Sequence, residues 1–127
     1  MVASATIVGI APQFLVDDLD RAVVYYRERL GFEVDFIYDS FYASVSRDGF
    51  AIHLKDAKKV AAERANRKDN EHLDAHIAVT DARALHAELV SRGAAVITPL
   101  KEQPWSCVDF VVEDPDGYIL CFSQRLT

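Results

Sequence analysis

An internal repeat limits what this chain can fold into more than any other feature. Val16-Asp17-Asp18 through Gly31 and Val34 is matched in the second half by Val79-Thr80-Asp81 through Gly93 and Val96. Further on, Arg47-Asp48-Gly49-Phe50-Ala51-Ile52-His53-Leu54 is matched by Pro115-Asp116-Gly117-Tyr118-Ile119-Leu120-Cys121-Phe122. Self-similarity at so long a period means one supersecondary unit used twice, so the two halves must share a topology.

The unit is legible from its punctuation. Asp17-Asp18 offers a helix N-cap, Leu19, Ala22, Val23, Tyr26 and Leu30 follow at helical spacing, and Gly31 supplies a left-handed stop. A second helix is expected from Asp81 to Gly93, with Leu85 and Leu89 on its inner side. Strands are expected before the helices, over Ile7–Val16 and Leu73–Thr80, and after them from Val34 and Val96. The Asp-Gly pairs lie between β-rich runs, which is the chemistry of tight hairpins. The order is therefore β-α-β-β-β, twice, an α+β fold. Each sheet has an apolar face that must be covered, and two such units make a half-open, barrel-like trough with the helices outside. Small ligands bind at the mouth of a trough of this kind.

A chain of 127 residues makes one domain. Repeat one is expected over about 5–55, a connector over about 56–70 and repeat two over about 71–125. In the connector, Lys58, Lys59, Arg64, Arg67 and Lys68 interleave with Ala57, Val60, Ala61, Ala62 and Ala65, which reads as a short amphipathic helix with a solvated basic face. The net charge of −6 argues against nucleic acid or an anionic membrane as partner. No apolar run approaches a membrane span, and Met1–Thr6 lacks the basic start of an export signal, so a cytoplasmic location is expected. Cys107 and Cys121 are too few for a disulfide framework and form no Cys-x-x-Cys pair. Cys107 reads as a buried, reduced thiol. Cys121 is either the same or a thiol activated by His53 across the trough floor.

Among the aromatics, Phe36, Tyr38, Phe41 and Tyr42 surround the start of the third strand, and Trp105 and Phe110 flank the entry to the seventh. Core packing explains Phe36 and Phe110 as well as ligand binding does. Trp105 differs, because Gln103-Pro104-Trp105-Ser106 is a loop, where an indole offers a flat stacking surface rather than core volume. Trp105 is the leading binding residue. His72 and His86 read as surface residues.

Phe14-Leu15-Val16-Asp17-Asp18-Leu19-Asp20-Arg21-Ala22, then Tyr25-Tyr26-Arg27 and Leu30-Gly31-Phe32, resemble the opening unit of the vicinal oxygen chelate superfamily of glyoxalases, bleomycin resistance proteins and extradiol dioxygenases. Val112-Glu113-Asp114-Pro115-Asp116-Gly117-Tyr118 resembles its closing hairpin. The resemblance implies a divalent metal held by up to four side chains, one from the first and last strand of each unit, and a homodimer. The last-strand positions, four residues beyond the hairpin glycines, are His53 and Cys121. The first-strand positions, five residues before the strand-end valines, are Ala11 and Asp74. A two-residue shift gives His76 instead of Asp74, and Gln13 shares the direction of Ala11.

Alanine has no donor, and a thiol would favour zinc, so a metal-free site is the preferred expectation. If a metal binds, its ligands are expected among His53, His76, Asp74 and Cys121. The bleomycin-resistance branch carries a similar tryptophan, an aromatic and an acidic hairpin where a flat drug stacks. The leading expectation is thus metal-free sequestration of a flat, partly polar small molecule by Trp105, His53, Tyr42, His76, Gln13, Phe110 and Cys121. The alternative is a metal-dependent lyase or isomerase, or a thiol transferase, of glyoxalase type.

Overall fold

The computed structural model describes residues 8–57 and 73–126. The first unit consists of β1 (Gln13–Val16), α1 (Leu19–Arg29), β2 (Glu33–Tyr38), β3 (Tyr42–Arg47) and β4 (Phe50–Asp56). The second consists of β5 (Ala75–Ala78), α2 (Ala82–Ser91), β6 (Ala95–Gln103), β7 (Cys107–Glu113) and β8 (Ile119–Arg125). The expected order thus occurs twice. Strand orders are β1-β4-β3-β2 and β5-β8-β7-β6, and in each sheet the first strand runs parallel to the last while the others pair antiparallel. The two sheets do not close into a barrel, which leaves the half-open trough that the repeat called for. Among the described residues no helix is long and apolar enough to cross a membrane.

Two boundaries differ from expectation. β1 begins at Gln13, and Val8 and Ile10 ahead of it are exposed rather than paired. Asp56, expected in the connector, belongs to β4, whose pairing runs on to Ala57, where the N–H bonds the Val16 carbonyl. The rest of the expected connecting helix lies outside the described residues, as does His72.

The helices start where the aspartates dictate. The Asp18 carboxylate accepts from the Arg21 N–H at 3.1 Å, and Asp81 accepts from Ala84 N–H at 3.0 Å, each satisfying a donor with no partner inside its helix. Helix α1 lays Leu19, Ala22, Val23 and Tyr26 on one face of the first sheet, against Phe14, Val16, Ala43, Val45 and Leu54. On the second sheet, Val108, Phe110, Val112, Leu120 and Phe122 form the corresponding buried face, with Leu89 of α2. Strand alternation sends the remaining side chains to the opposite, helix-free faces.

The second hairpin joins the halves at one corner. Tyr118 stacks on Phe14 with ring centroids 4.1 Å apart and planes 7° from parallel. Its hydroxyl donates to the Leu15 carbonyl at 2.8 Å and accepts from the Leu15 N–H. Asp116 accepts from the Asp17 N–H and from Arg21, both at 2.9 Å. Asp114 takes the Tyr26 hydroxyl at 2.8 Å on one oxygen and the N–H groups of Asp116 and Tyr118 on the other.

Candidate functional site

The helix-free faces carry the polar and aromatic residues. On the first sheet the parallel register sets Gln13 beside His53, and the antiparallel register sets Ser44 beside His53 on its other side. The Gln13 amide donates to the Tyr42 oxygen at 3.0 Å, and the Tyr42 hydroxyl lies 2.9 Å from His53 Nδ1. The Tyr42 bond engages Nδ1 and leaves Nε2 available to a ligand. Phe36 lies parallel to Tyr42, and His53 stands edge-on to both rings. Asp35, which sequence reasoning missed, accepts from the hydroxyls of Ser46 and Ser44 at 2.7 and 2.8 Å, and these bonds pull its carboxyl below the usual range. Its only advance signal was period-two alternation in β2, and that strand carries a register shift between Val34 and Phe36.

On the second sheet His76 pairs with Cys121, as Gln13 pairs with His53 in the first. The register therefore makes Gln13 and His76 the repeat-equivalent first-strand positions. Ala11 precedes β1, and the Asp74 carboxylate caps the neighbouring strand by accepting the Ile119 N–H at 2.8 Å. A hollow of about 400 Å³ on this face is lined by His76, Ala78, Trp105, Cys107, Asp109, Ser123 and Arg125. Trp105 sits in the turn between β6 and β7, 67% exposed. Asp109 and Arg125 went unread because only pairing, not spacing, brings three strands and a turn to one spot.

The other singled-out residues lie elsewhere. Phe110 is fully buried in the core, stacked on Phe122 at 5.3 Å. His86 is no mere surface residue: its ring stands edge-on to Phe110 at 5.1 Å. Cys121 is 5% exposed, and burial, with the nearby Asp109 charge, pushes its thiol up to about 11. A thiol so placed is protonated at neutral pH, and its strand partner is His76 rather than His53.

Where the units meet, a separate cleft of about 1010 Å³ opens between the β3–β4 hairpin and the β5–α2 segment. His76 and Asp74 line it, but His53, Tyr42 and Trp105 do not.

A catalytic divalent ion needs about three protein ligands with an open position. Among the described residues no three His, Cys, Asp or Glu side chains gather closely enough to share one. The described donors of one chain therefore gather no such ligand set.

Paired βαβββ units, helix-free faces bearing stacking and hydrogen-bonding groups, and an open trough define a class of small-molecule-handling folds rather than one reaction. The chain belongs to the Glyoxalase/Bleomycin resistance protein/Dioxygenase superfamily, whose model matches residues 7–122. Among solved structures, it is similar to the bleomycin-binding protein of bleomycin-producing Streptomyces verticillus in complex with copper(II)-bleomycin. The two are 26% identical with a TM-score of 0.71, covering 98% of this chain and 99% of that one. A glyoxalase-related enzyme from Clostridium phytofermentans (20% identity, TM-score 0.74, 95% and 97% covered) shares the fold. So does a glyoxalase/bleomycin resistance protein/dioxygenase from Alicyclobacillus acidocaldarius (17% identity, TM-score 0.74, 94% and 92% covered). No curated protein matches the chain in sequence.

Proposed function

We propose that this protein binds a flat, partly polar small molecule without a metal, on the helix-free faces of its sheets. The observation that carries this reading is Trp105, an indole left 67% exposed beside a hollow that also presents His76 and Arg125. An aromatic held out of the core at the wall of a hollow has its value in stacking on something that arrives. The Gln13–Tyr42–His53 relay on the other sheet supplies the polar half, an oriented imidazole flanked by Phe36. Each cluster is built from one sheet, so a second copy of the chain is the natural means of bringing the two kinds of face together, and we infer a homodimer. The relative at 26% identity is a bleomycin-binding protein, which supports a small-molecule ligand here.

Trp105 is the one tryptophan, so its fluorescence reports on the site directly. Titration with bleomycin, metal-free and copper(II)-loaded, is expected to quench or shift that emission. Trp105→Ala should weaken binding about tenfold or more with little loss of stability. Emission unchanged by bleomycin, together with one equivalent of bound zinc, iron or manganese per chain that His53→Ala removes, would replace this reading with a metal-dependent lyase, isomerase or thiol transferase.

A further inference from the structure

The repeat creates two corners at which the hairpin of one unit meets the first strand and helix of the other. Among the described residues only one corner is filled. Counting from the strand-end valines Val16 and Val79 and the hairpin glycines Gly49 and Gly117, Phe14 corresponds to Ile77, Leu15 to Ala78, Arg21 to Ala84, Asp116 to Asp48 and Tyr118 to Phe50. At the filled corner Tyr118 is 5% exposed, stacked on Phe14 and bonded through its hydroxyl to both peptide groups of Leu15. At the other corner each of these partners has lost its reach. Phe50 has no hydroxyl and is 79% exposed, Asp48 is exposed, Ala84 has no side chain to offer a carboxylate, and Ile77 replaces the stacking ring.

The base of this second corner is fixed instead by a bidentate ion pair, Arg47 to Glu88 at 2.7 and 2.9 Å, with Arg47 also donating to the Leu30 carbonyl. Above it lies the cleft of about 1010 Å³, whose apolar walls include Phe32, Ile52, Ile77, Val79, Leu85 and Phe122. Besides the polar residues Asp74, His76, Thr80 and Asp81, the lining includes a strand edge. Strand β5 is at the edge of its sheet, and the Val79 N–H bonds the Ser123 carbonyl. By strand alternation the N–H and C=O of Ala78 then point away from β8, as those of Leu15 point toward Tyr118.

We propose that this cleft is a second binding site, distinct from the hollow beside Trp105 although His76 and Ala78 border both, for a phenol or a similar aromatic alcohol. The ring lies against Ile77 and the hydroxyl bonds the N–H and C=O of Ala78, so that the ligand supplies what Tyr118 supplies at the other corner. The ion pair holds the walls apart, and the repeat itself provides the template for the ligand.

The probe is para-cresol, the side chain of tyrosine, titrated into the full chain while backbone amide NMR signals are followed, with toluene as comparison. Para-cresol should move the amides of Ile77–Thr80 and Leu85. Toluene should bind about tenfold more weakly, since it leaves the Ala78 groups without their partner. Ala84→Leu and Ala84→Trp, at an exposed helix position lining the cleft, should progressively abolish the shifts while the remaining spectrum stays folded. The proposal is overturned by shifts confined to the surroundings of Trp105 and His53, by equal affinity for toluene, or by indifference to both Ala84 variants. It is also overturned if the same amides move on dilution of ligand-free protein, since a second copy would then cover the cleft. These outcomes do not depend on Trp105 fluorescence, so failure here leaves the reading of the helix-free faces standing.

Discussion

At the scale of single residues, Asp114 shows opposing effects whose balance can be measured. Three donors, the Tyr26 hydroxyl and the N–H groups of Asp116 and Tyr118, favour its charged form. Burial opposes them and wins: Asp114 is 4% exposed, and loss of water raises its carboxyl to about 6, with Asp116 nearby adding to the rise. An unfolded aspartate titrates near 4, so between about 4 and about 6 the folded state binds the proton more tightly. The contribution to stability is therefore fully present at low pH and lost as pH rises through that window. Unfolding in urea at pH 4.5, 5.5 and 7 should show a decline on the order of 2 kcal/mol that Asp114→Asn largely removes. Asparagine still accepts the two N–H groups and can donate to Tyr26. An equal slope in both proteins would show that the carboxyl titrates normally.

At the scale of elements, the two inward leucines of α2 do different things. Both satisfy the same helical spacing, and the sequence ranks them equally. Leu89 is 0% exposed in the common core, whereas Leu85 is half-buried and lines the cleft at the unfilled corner. Leu89→Ala should cost about 2–5 kcal/mol, the usual range for a buried leucine whose surroundings cannot collapse. Leu85→Ala should cost roughly 1 kcal/mol, because less of its surface leaves water on folding. Chemical denaturation of the two variants reads this directly, and equal losses would mean that the corner above Leu85 is closed in solution. The strands teach a related point. Where β1 begins was set by its partner β4, which leaves Val8 and Ile10 outside the sheet.

At the scale of the whole molecule, several aromatic residues stand in water: Phe36, Tyr38, Phe41, Phe50 and Trp105 are all exposed. Clustered apolar groups of this kind mark an interaction surface rather than ordinary solvent-facing scatter. Phe36, Tyr38 and Phe41 lie on or beside β2, an edge strand, next to the His53 relay. A homodimer that pairs this region with the Trp105 hollow of a second copy would cover them and complete a two-sided site. Sedimentation should give a dimer at micromolar concentration, and Tyr38→Glu with Phe41→Glu should yield monomers that bind bleomycin far more weakly. A monomeric wild-type chain with undiminished binding would place the whole site on one sheet.

The amino-acid sequence by itself determined the duplicated βαβββ order, the helix starts at Asp18 and Asp81, the hairpins at the Asp-Gly pairs, and the exposed loop position of Trp105. Each of these depends on short-range physics: capping, periodicity, turn conformation and the parity of neighbouring residues. Only the tertiary structure decided that Gln13 faces His53 and His76 faces Cys121, that Asp74 caps a strand, and that Phe110 belongs to the core. It alone also showed that Tyr118 fills one corner while Phe50 leaves its twin open. Those outcomes depend on register between distant strands and on which of two similar surfaces finds a partner. A one-residue slip in pairing moves every side chain to the opposite face, and the composition of a single strand does not record the register its neighbour imposes.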